Sequence, residues 1–265
     1  MITEGLVLAW FSMCGVMLYN DPRLWVILAS SILFTTIRVA VVPLASSRVK
    51  SYGVMSTNNQ RLWSNTFASM IHSVVSSVLA FAAIALEHSF DGDYVNRATS
   101  LEFLATAVST GYFAYDTWDY VLNRLYIKSP GIVAHHVVIL ICYISALTKT
   151  VGVPLLSLAL ACELHSAFMH LRKLMAMSGF TIPLSRFLGV VWVLQWVSFF
   201  VARIVPHLAV TYLTYQGRSL FANQGFFGMA LGGIVFIDAL NAQLFVQVLG
   251  AFRKDRGCPK TIKSS

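Results

Sequence analysis

Eight apolar runs, separated by short polar stretches, organise this chain. They cover about residues 4–19, 24–45, 62–87, 98–121, 130–149, 152–175, 186–213 and 225–250. A helix that crosses the hydrocarbon core needs about 20 residues, so each run is a predicted span. The first is the weakest, being short and opening on Glu4. The runs are apolar on all sides instead of alternating, which excludes a membrane barrel. Turns such as "SSRVKSYGVMSTNNQR" and "EHSFDGDYVNR" divide them, and no internal repeat or low-complexity tract is present. The predicted fold is an all-α, multi-pass transmembrane bundle with about eight spans, or seven if the first segment does not cross. Pro206 predicts a kink in the seventh helix. Gly228 and Gly232, four apart, predict a small-residue packing face in the last.

Composition agrees with lipid as the outer solvent. Only 11% of the 265 residues are charged and 57% are hydrophobic, whereas a soluble domain carries roughly 25% charged residues. The net charge of +8 is unevenly placed. One side of the predicted bundle carries Arg48, Lys50, Arg61, Arg124, Lys128, Arg172, Lys173, Arg186, Arg253, Lys254, Arg256, Lys260 and Lys263. The other carries Arg23, Arg97, Lys149 and Arg218. The positive-inside rule puts the first side, and the C-terminus, in the cytosol. Trp25, Trp63 and Tyr126 fall near predicted interfaces, as an aromatic belt would. Cys14, Cys142 and Cys162 lie in apolar runs and read as packing residues, while Cys258 sits in the basic tail. No Lys or Arg precedes Arg23, so the basic start of a cleavable signal peptide is absent. The ending "KTIKSS" lacks the dilysine spacing of an endoplasmic reticulum retrieval signal, which favours a later membrane.

Chemistry enters through polar residues inside the spans. A charge at the bilayer centre costs ~2.5–3.5 kcal/mol on insertion scales, so such residues must pair, lose their charge or line a wet cavity. Asp116 and Asp119 are three apart and share a helix face, as do Glu163, Ser166 and His170. His135 and His136 open the next run and point ~100° apart, so one should face a cavity and the other a neighbouring helix. A neutral imidazole beside a carboxylate can act as general base or nucleophile. The candidate catalytic residues are therefore His135, His136, Asp116, Asp119 and Glu163. The candidate cavity-lining residues are His72, Tyr112, Tyr115, Ser166, His170 and Arg203, with no metal expected. Arg38 is expected to snorkel to the interface, and His207 and Asp238 to make interhelical hydrogen bonds.

The segments "RLWSNTFASMIHSVVSS", "GYFAYDTWDYV", "IVAHHVVIL" and "ELHSAFMHLRK", in that order, resemble the TLC-domain (TRAM/LAG/CLN) membrane proteins over roughly residues 56–253. That family includes ceramide synthases, translocon-associated proteins and smaller members linked to control of membrane phospholipid acyl composition and fluidity at the plasma membrane. The resemblance implies a six-helix core around a long hydrophobic cavity, with residues 1–55 outside it and 254–265 as a basic tail. It implies that His135 and His136 match the pair thought to serve acyl transfer in ceramide synthases. Registering on Lys173 puts Glu163 and Ser166 where those enzymes carry two aspartates, so one acid is lost.

Two functions follow as expectations. One is a regulator of membrane lipid composition that accommodates fatty acyl chains, with membrane lipids as partners and no cofactor or nucleic acid. The other is a lipid acyltransferase using acyl-CoA as co-substrate. A di-iron hydroxylase is a weaker third reading. His165 and His170 of "HSAFMH" are five apart and diverge by ~140°, whereas a shared metal prefers residues four apart. Nothing resembles the filter of a channel or the repeats of a transporter.

Overall fold

The computed structural model describes residues 2–86, 92–127 and 130–256. His88, Lys128, Cys258, Lys260 and Lys263 lie outside the described residues. Eight helical segments follow one another and no strand occurs among the described residues: α1 Ile2–Asn20, α2 Pro22–Ser46, α3 Thr57–Leu86, α4 Ser100–Leu122, α5 Pro130–Lys149, α6 Val153–Met177, α7 Arg186–Leu220 and α8 Gln224–Arg256. Six of them (α2, α3, α5, α6, α7 and α8) are long and apolar enough to cross a membrane, and α1 contains a shorter apolar stretch, Val7–Asn20.

The exception, α4, explains the odd polarity of its run. It packs against α1, α2, α3, α5 and α6, and 16 of its 23 residues are buried. A helix enclosed by other helices needs no lipid-facing hydrophobicity. Its start is a capping box, in which the Thr99 hydroxyl accepts from the Glu102 amide and the Glu102 carboxylate accepts from the Thr99 amide. Asn65, early in α3, bonds Asp116 late in α4, so these two run antiparallel. Arg38 late in α2 meets Asp119, so α2 and α4 run parallel.

Small polar residues set these close packings. Buried Ser69, Ser73, Ser76 and Ser77 let α3 approach α4 and α6. On α2, Ser30 Oγ donates to the Val108 carbonyl at 2.6 Å and Ser31 Oγ to the Gly111 carbonyl at 2.9 Å. Trp10 Nε1 donates to Ser31 Oγ at 3.1 Å, which fastens α1 to the same seam.

Three expectations change. Arg38 does not simply snorkel: its Nε donates to Asp119 Oδ1 at 3.3 Å, because a partner carboxylate lies within reach across the α2–α4 seam. Gly228 and Gly232 are not the packing face, since a methyl on either would meet nothing within 4 Å. One residue on, Gly233 lies against Cys142 Sγ of α5. Trp63 is buried, stacked on Phe67 and edge-on to Tyr52, whereas Trp25 and Tyr126 are exposed as a belt requires.

The Pro206 expectation takes a specific form. Residues Phe199–Ile204 form a π-helical turn just before the proline, and Ile37–Val41 form another before Pro43. Each wide turn carries an arginine, Arg203 or Arg38. A π turn re-aims side chains relative to a regular helix.

The two ends of the bundle are closed differently. At one, Val95 accepts from the Gly152 amide, the Tyr94 hydroxyl donates to the Leu213 carbonyl, and Asn96 Nδ2 donates to the Leu220 carbonyl. In that loop the Asn96 amide groups hold the Asp93 carboxyl below the usual carboxylate range. At the other, basic end, Asp255 Oδ2 accepts from Arg172 Nη1 at 3.2 Å and Trp192 Nε1 at 3.3 Å, with the Arg172 guanidinium 4.8 Å from the Trp192 ring centre. Asp255→Ala is expected to cost about 1–3 kcal/mol, by leaving two buried donors unpaired. A melting curve in detergent checks this, and an unchanged midpoint would show that α8 is held elsewhere.

A cavity with one polar half as the candidate functional site

A cavity of about 680 Å³ runs along the interior, lined only by residues between Asn65 and Ala251. No residue of α1 or α2 contributes. Its volume falls in the range of ~300–1,000 Å³ usual for small-molecule sites. On α8 the lining extends from Phe226 to Ala251.

The half near the basic end is polar. There α3 and α4 supply Asn65, Ser69, His72, Ser73, Tyr112, Asp116 and Tyr120. Facing them are His135 and His136 of α5, and Glu163, Ser166, His170 and Lys173 of α6. The other half is walled mainly by apolar side chains, among them Leu155, Leu156, Val210, Phe221, Phe226 and Ile234, with Thr214 as a polar exception.

Two carboxylate centres stand out. Asn65 Nδ2 donates to Asp116 Oδ1 at 2.6 Å and Asp119 Oδ2 at 3.0 Å, so one amide bridges both acids. His136 Nε2 stands 3.4 Å from Asp116 Oδ2. Deeper, Ser73 Oγ donates to Glu163 Oε2 at 2.6 Å, with His72 Nδ1 3.8 Å away, longer than a hydrogen bond. The His72 ring lies flat on Tyr112, centroids 3.7 Å apart, and its Nε2 contacts Ser109 Oγ at 3.2 Å.

Of the residues singled out in the sequence, His72, Tyr112, Asp116, His135, His136, Glu163, Ser166, His170 and Arg203 line the cavity together. Asp119 and Tyr115 do not. A spacing of three places them ~60° around α4 from Asp116 and Tyr112, which turns them toward α2. There Asp119 meets Arg38, and the Tyr115 ring packs 6.2 Å from that of Phe34. Both histidines of the pair line the cavity, rather than one alone, with ring centroids 5.5 Å apart. Asp238 makes the expected interhelical bond, accepting from Thr211 at 2.7 Å, whereas His207 bonds within its own helix, to the Arg203 carbonyl at 2.9 Å, and its side chain belongs to the cavity lining.

Five buried atoms of residues lining the polar half have no partner within the protein: His135 Nδ1, His136 Nδ1, His170 Nδ1, Arg172 Nε and Asn241 Nδ2. Buried polar atoms are normally bonded, so these leave hydrogen-bonding capacity unused around the polar half. Asn65 and Asn241 were not singled out by sequence reasoning. The signal was there, since an asparagine inside an apolar run is costly without partners. Among the described residues, no group of three or more His, Cys, Asp or Glu is placed to hold a metal ion.

The helices that wall the cavity coincide with a known domain. The model of the TLC domain matches residues 62–249. The chain belongs to the TLC-domain family. It is 29% identical over 191 residues to TLC domain-containing protein 2 of Danio rerio, covering 71% of this chain and 75% of that protein. With the protein 2 of Mus musculus, identity is 30% over 160 residues, covering 54% and 51% of the two chains. With TLC domain-containing protein 1 of Gallus gallus, it is 22% over 187 residues, covering 71% and 72%. No solved structure matches. The TLC domain here is an integral membrane bundle whose matched residues carry nearly the whole cavity wall.

Proposed function

We propose that this TLC-domain protein holds a fatty acyl chain in its cavity and so regulates the acyl composition and fluidity of membrane phospholipids. The observation that carries this is the shape of polarity: one cavity, about 680 Å³, with acids, imidazoles and cations gathered in one half and walls that are apolar apart from Thr214 in the other. A fatty acyl lipid has that same division. In this reading the basic end and the C-terminus face the cytosol, and the plasma membrane is the favoured location.

The second reading is acyl transfer, favoured by the His136–Asp116 pair. A proton on Nε2, directed at Asp116 Oδ2 3.4 Å away, would leave Nδ1 as a proton acceptor. Nδ1 has no partner in the protein. It would take the proton of an acceptor hydroxyl as the ester bond forms and the carbon–sulfur bond of acyl-CoA breaks. The proton then passes to the leaving thiolate. The loss of one family acid at Ser166 argues against ceramide as the product.

The test is the phospholipid acyl profile of cells lacking this protein, rescued with wild type, Ala230→Trp, or His135→Ala plus His136→Ala. Ala230 lines the apolar half, and an indole there fills the space. Ala230→Trp is expected to fail to rescue at normal expression and location, and full rescue by it would sink the acyl-cavity reading. Rescue by the double histidine variant leaves binding without chemistry, while its failure makes acyl transfer the working mechanism.

A further inference from the structure

Arg203 is a buried cation whose direct hydrogen-bond partners are all neutral. Its Nε donates to His165 Nδ1 at 2.9 Å and its Nη1 to Asn241 Oδ1 at 2.9 Å. Its Nη2 donates to Ser166 Oγ at 2.6 Å and to the Cys162 carbonyl at 3.4 Å. Arg203 is 8% exposed, and among the described residues it makes no ion pair, unlike Arg38 and Arg172. Glu163, on the same wall, takes the Ser73 hydroxyl and also bonds Ser166, so its carboxylate acts on the guanidinium across that hydroxyl without forming a direct ion pair. Ser166, where the resemblance to ceramide synthases places an acid, supplies only a hydroxyl.

This arrangement leaves donors unused. Arginine has no acceptor atoms, so Asn241 must turn its oxygen toward Arg203 and its nitrogen away. Asn241 is 4% exposed, yet its Nδ2 has no partner. Nη1 carries two hydrogens, of which Asn241 takes one. Both residues are part of the cavity lining, so two neighbouring side chains with a donor to spare, one of them charged, stand at its wall. A pair of adjacent donors matches the two oxygens of a carboxylate.

We propose that Arg203 and Asn241 bind the carboxylate of a free long-chain fatty acid, whose tail extends toward Phe221 and Phe226. The proposal rests on the acyl-cavity reading and adds the head group and its direction. The acid group lies at mid-height in the bundle and the tail points away from His135 and His136. The length agrees. From Asn241 to Phe226, the 1.5 Å rise of α8 gives about 22 Å. With bonds of about 1.52 Å at tetrahedral angles, each carbon advances about 1.25 Å, so roughly 17 carbons fit.

The experiment is binding of radiolabelled oleate to the full chain in nanodiscs, with oleyl alcohol and lysophosphatidic acid as competitors. Wild type is expected to bind oleate roughly tenfold or more tightly than oleyl alcohol, the discrimination that a charged hydrogen bond supplies. Asn241→Asp places a permanent carboxylate beside Arg203. It is expected to lose oleate binding by a similar factor, to keep alcohol binding, and to melt no lower than wild type. Asn241→Leu removes the amide donor and decides the matter if the aspartate variant does not fold. Equal binding of oleate and alcohol to wild type, or oleate binding retained in the variants, overturns the head-group site while the acyl cavity stands. Preference for lysophosphatidic acid replaces the carboxylate with a phosphate. If wild type binds none of the three, the cavity reading falls as well.

Discussion

Gly111→Leu is expected to prevent assembly of the bundle, and even Gly111→Ala to cost about 1–3 kcal/mol, the usual range for overpacking a tight interface. A Cβ at this position would overlap the Ile27 carbonyl oxygen and lie 2.6 Å from Ser30 Cβ. The obstacle is backbone, which cannot rotate aside as a flexible side chain could. Pushing α2 off α4 would stretch the Ser30–Val108 and Ser31–Gly111 hydrogen bonds together. The Trp10–Ser31 bond that fastens α1 depends on the same seam. Gly228→Ala is the matched control, since nothing stands within 4 Å of that position. There alanine gains about 1 kcal/mol of helix propensity and loses nothing. Melting of the two variants in detergent should move in opposite directions. Equal shifts would mean that the α2–α4 seam does not limit stability.

The two glycine positions show what a sequence can and cannot disclose. Spacing identified Gly228 and Gly232 as a packing face, because small residues four apart usually are one. Yet the close interhelical contacts are at Gly111, where the sequence offers only Ala107 four residues before it, and at Gly233, which has no small residue at that spacing. A glycine is silent about which neighbour it admits until the partner helix is in place. The helix boundaries were far more legible, because apolar runs of spanning length report directly on the solvent around them. The exception is α4, whose Asp116, Asp119 and Glu102 are tolerable only because other helices enclose it.

The site divides along the same line. That acids and imidazoles from several helices line one cavity followed from the cost of burying each alone. Which member pairs with which did not follow. Arg38 was expected at the interface and instead meets Asp119. Tyr115 was expected on the cavity wall and packs toward α2, since a three-residue step turns ~60° about a helix. Asn65 and Asn241 matter because they join groups from different helices, and a single chain position carries no record of its partner.

Asn65→Leu is the second large effect to expect. The side chain is nearly isosteric, so packing is kept while one amide leaves both Asp116 and Asp119. Hydrogen bonds to charged groups contribute about 1.5–3 kcal/mol each, so the variant should lose roughly 3–5 kcal/mol. What remains is uneven. Asp119 keeps a cation, Arg38 at 3.3 Å, and Asn123 at 2.9 Å, whereas Asp116 keeps the neutral Tyr112 hydroxyl and His136 at 3.4 Å. The damage should therefore concentrate at Asp116. Adding Asp116→Asn to the leucine variant should recover part of the loss, although Asp116→Asn alone is expected to destabilise. A double-mutant cycle read by melting in detergent measures this, with a coupling of about 1 kcal/mol or more expected for residues in direct contact. Additive effects would mean that Asn65 acts through packing instead of through the carboxylates. Because Asn65, Asp116 and His136 all line the cavity, the amide that stabilises the bundle also fixes the carboxylate facing the His pair. A stable Asn65→Leu variant with altered lipid binding would assign Asn65 to the site alone.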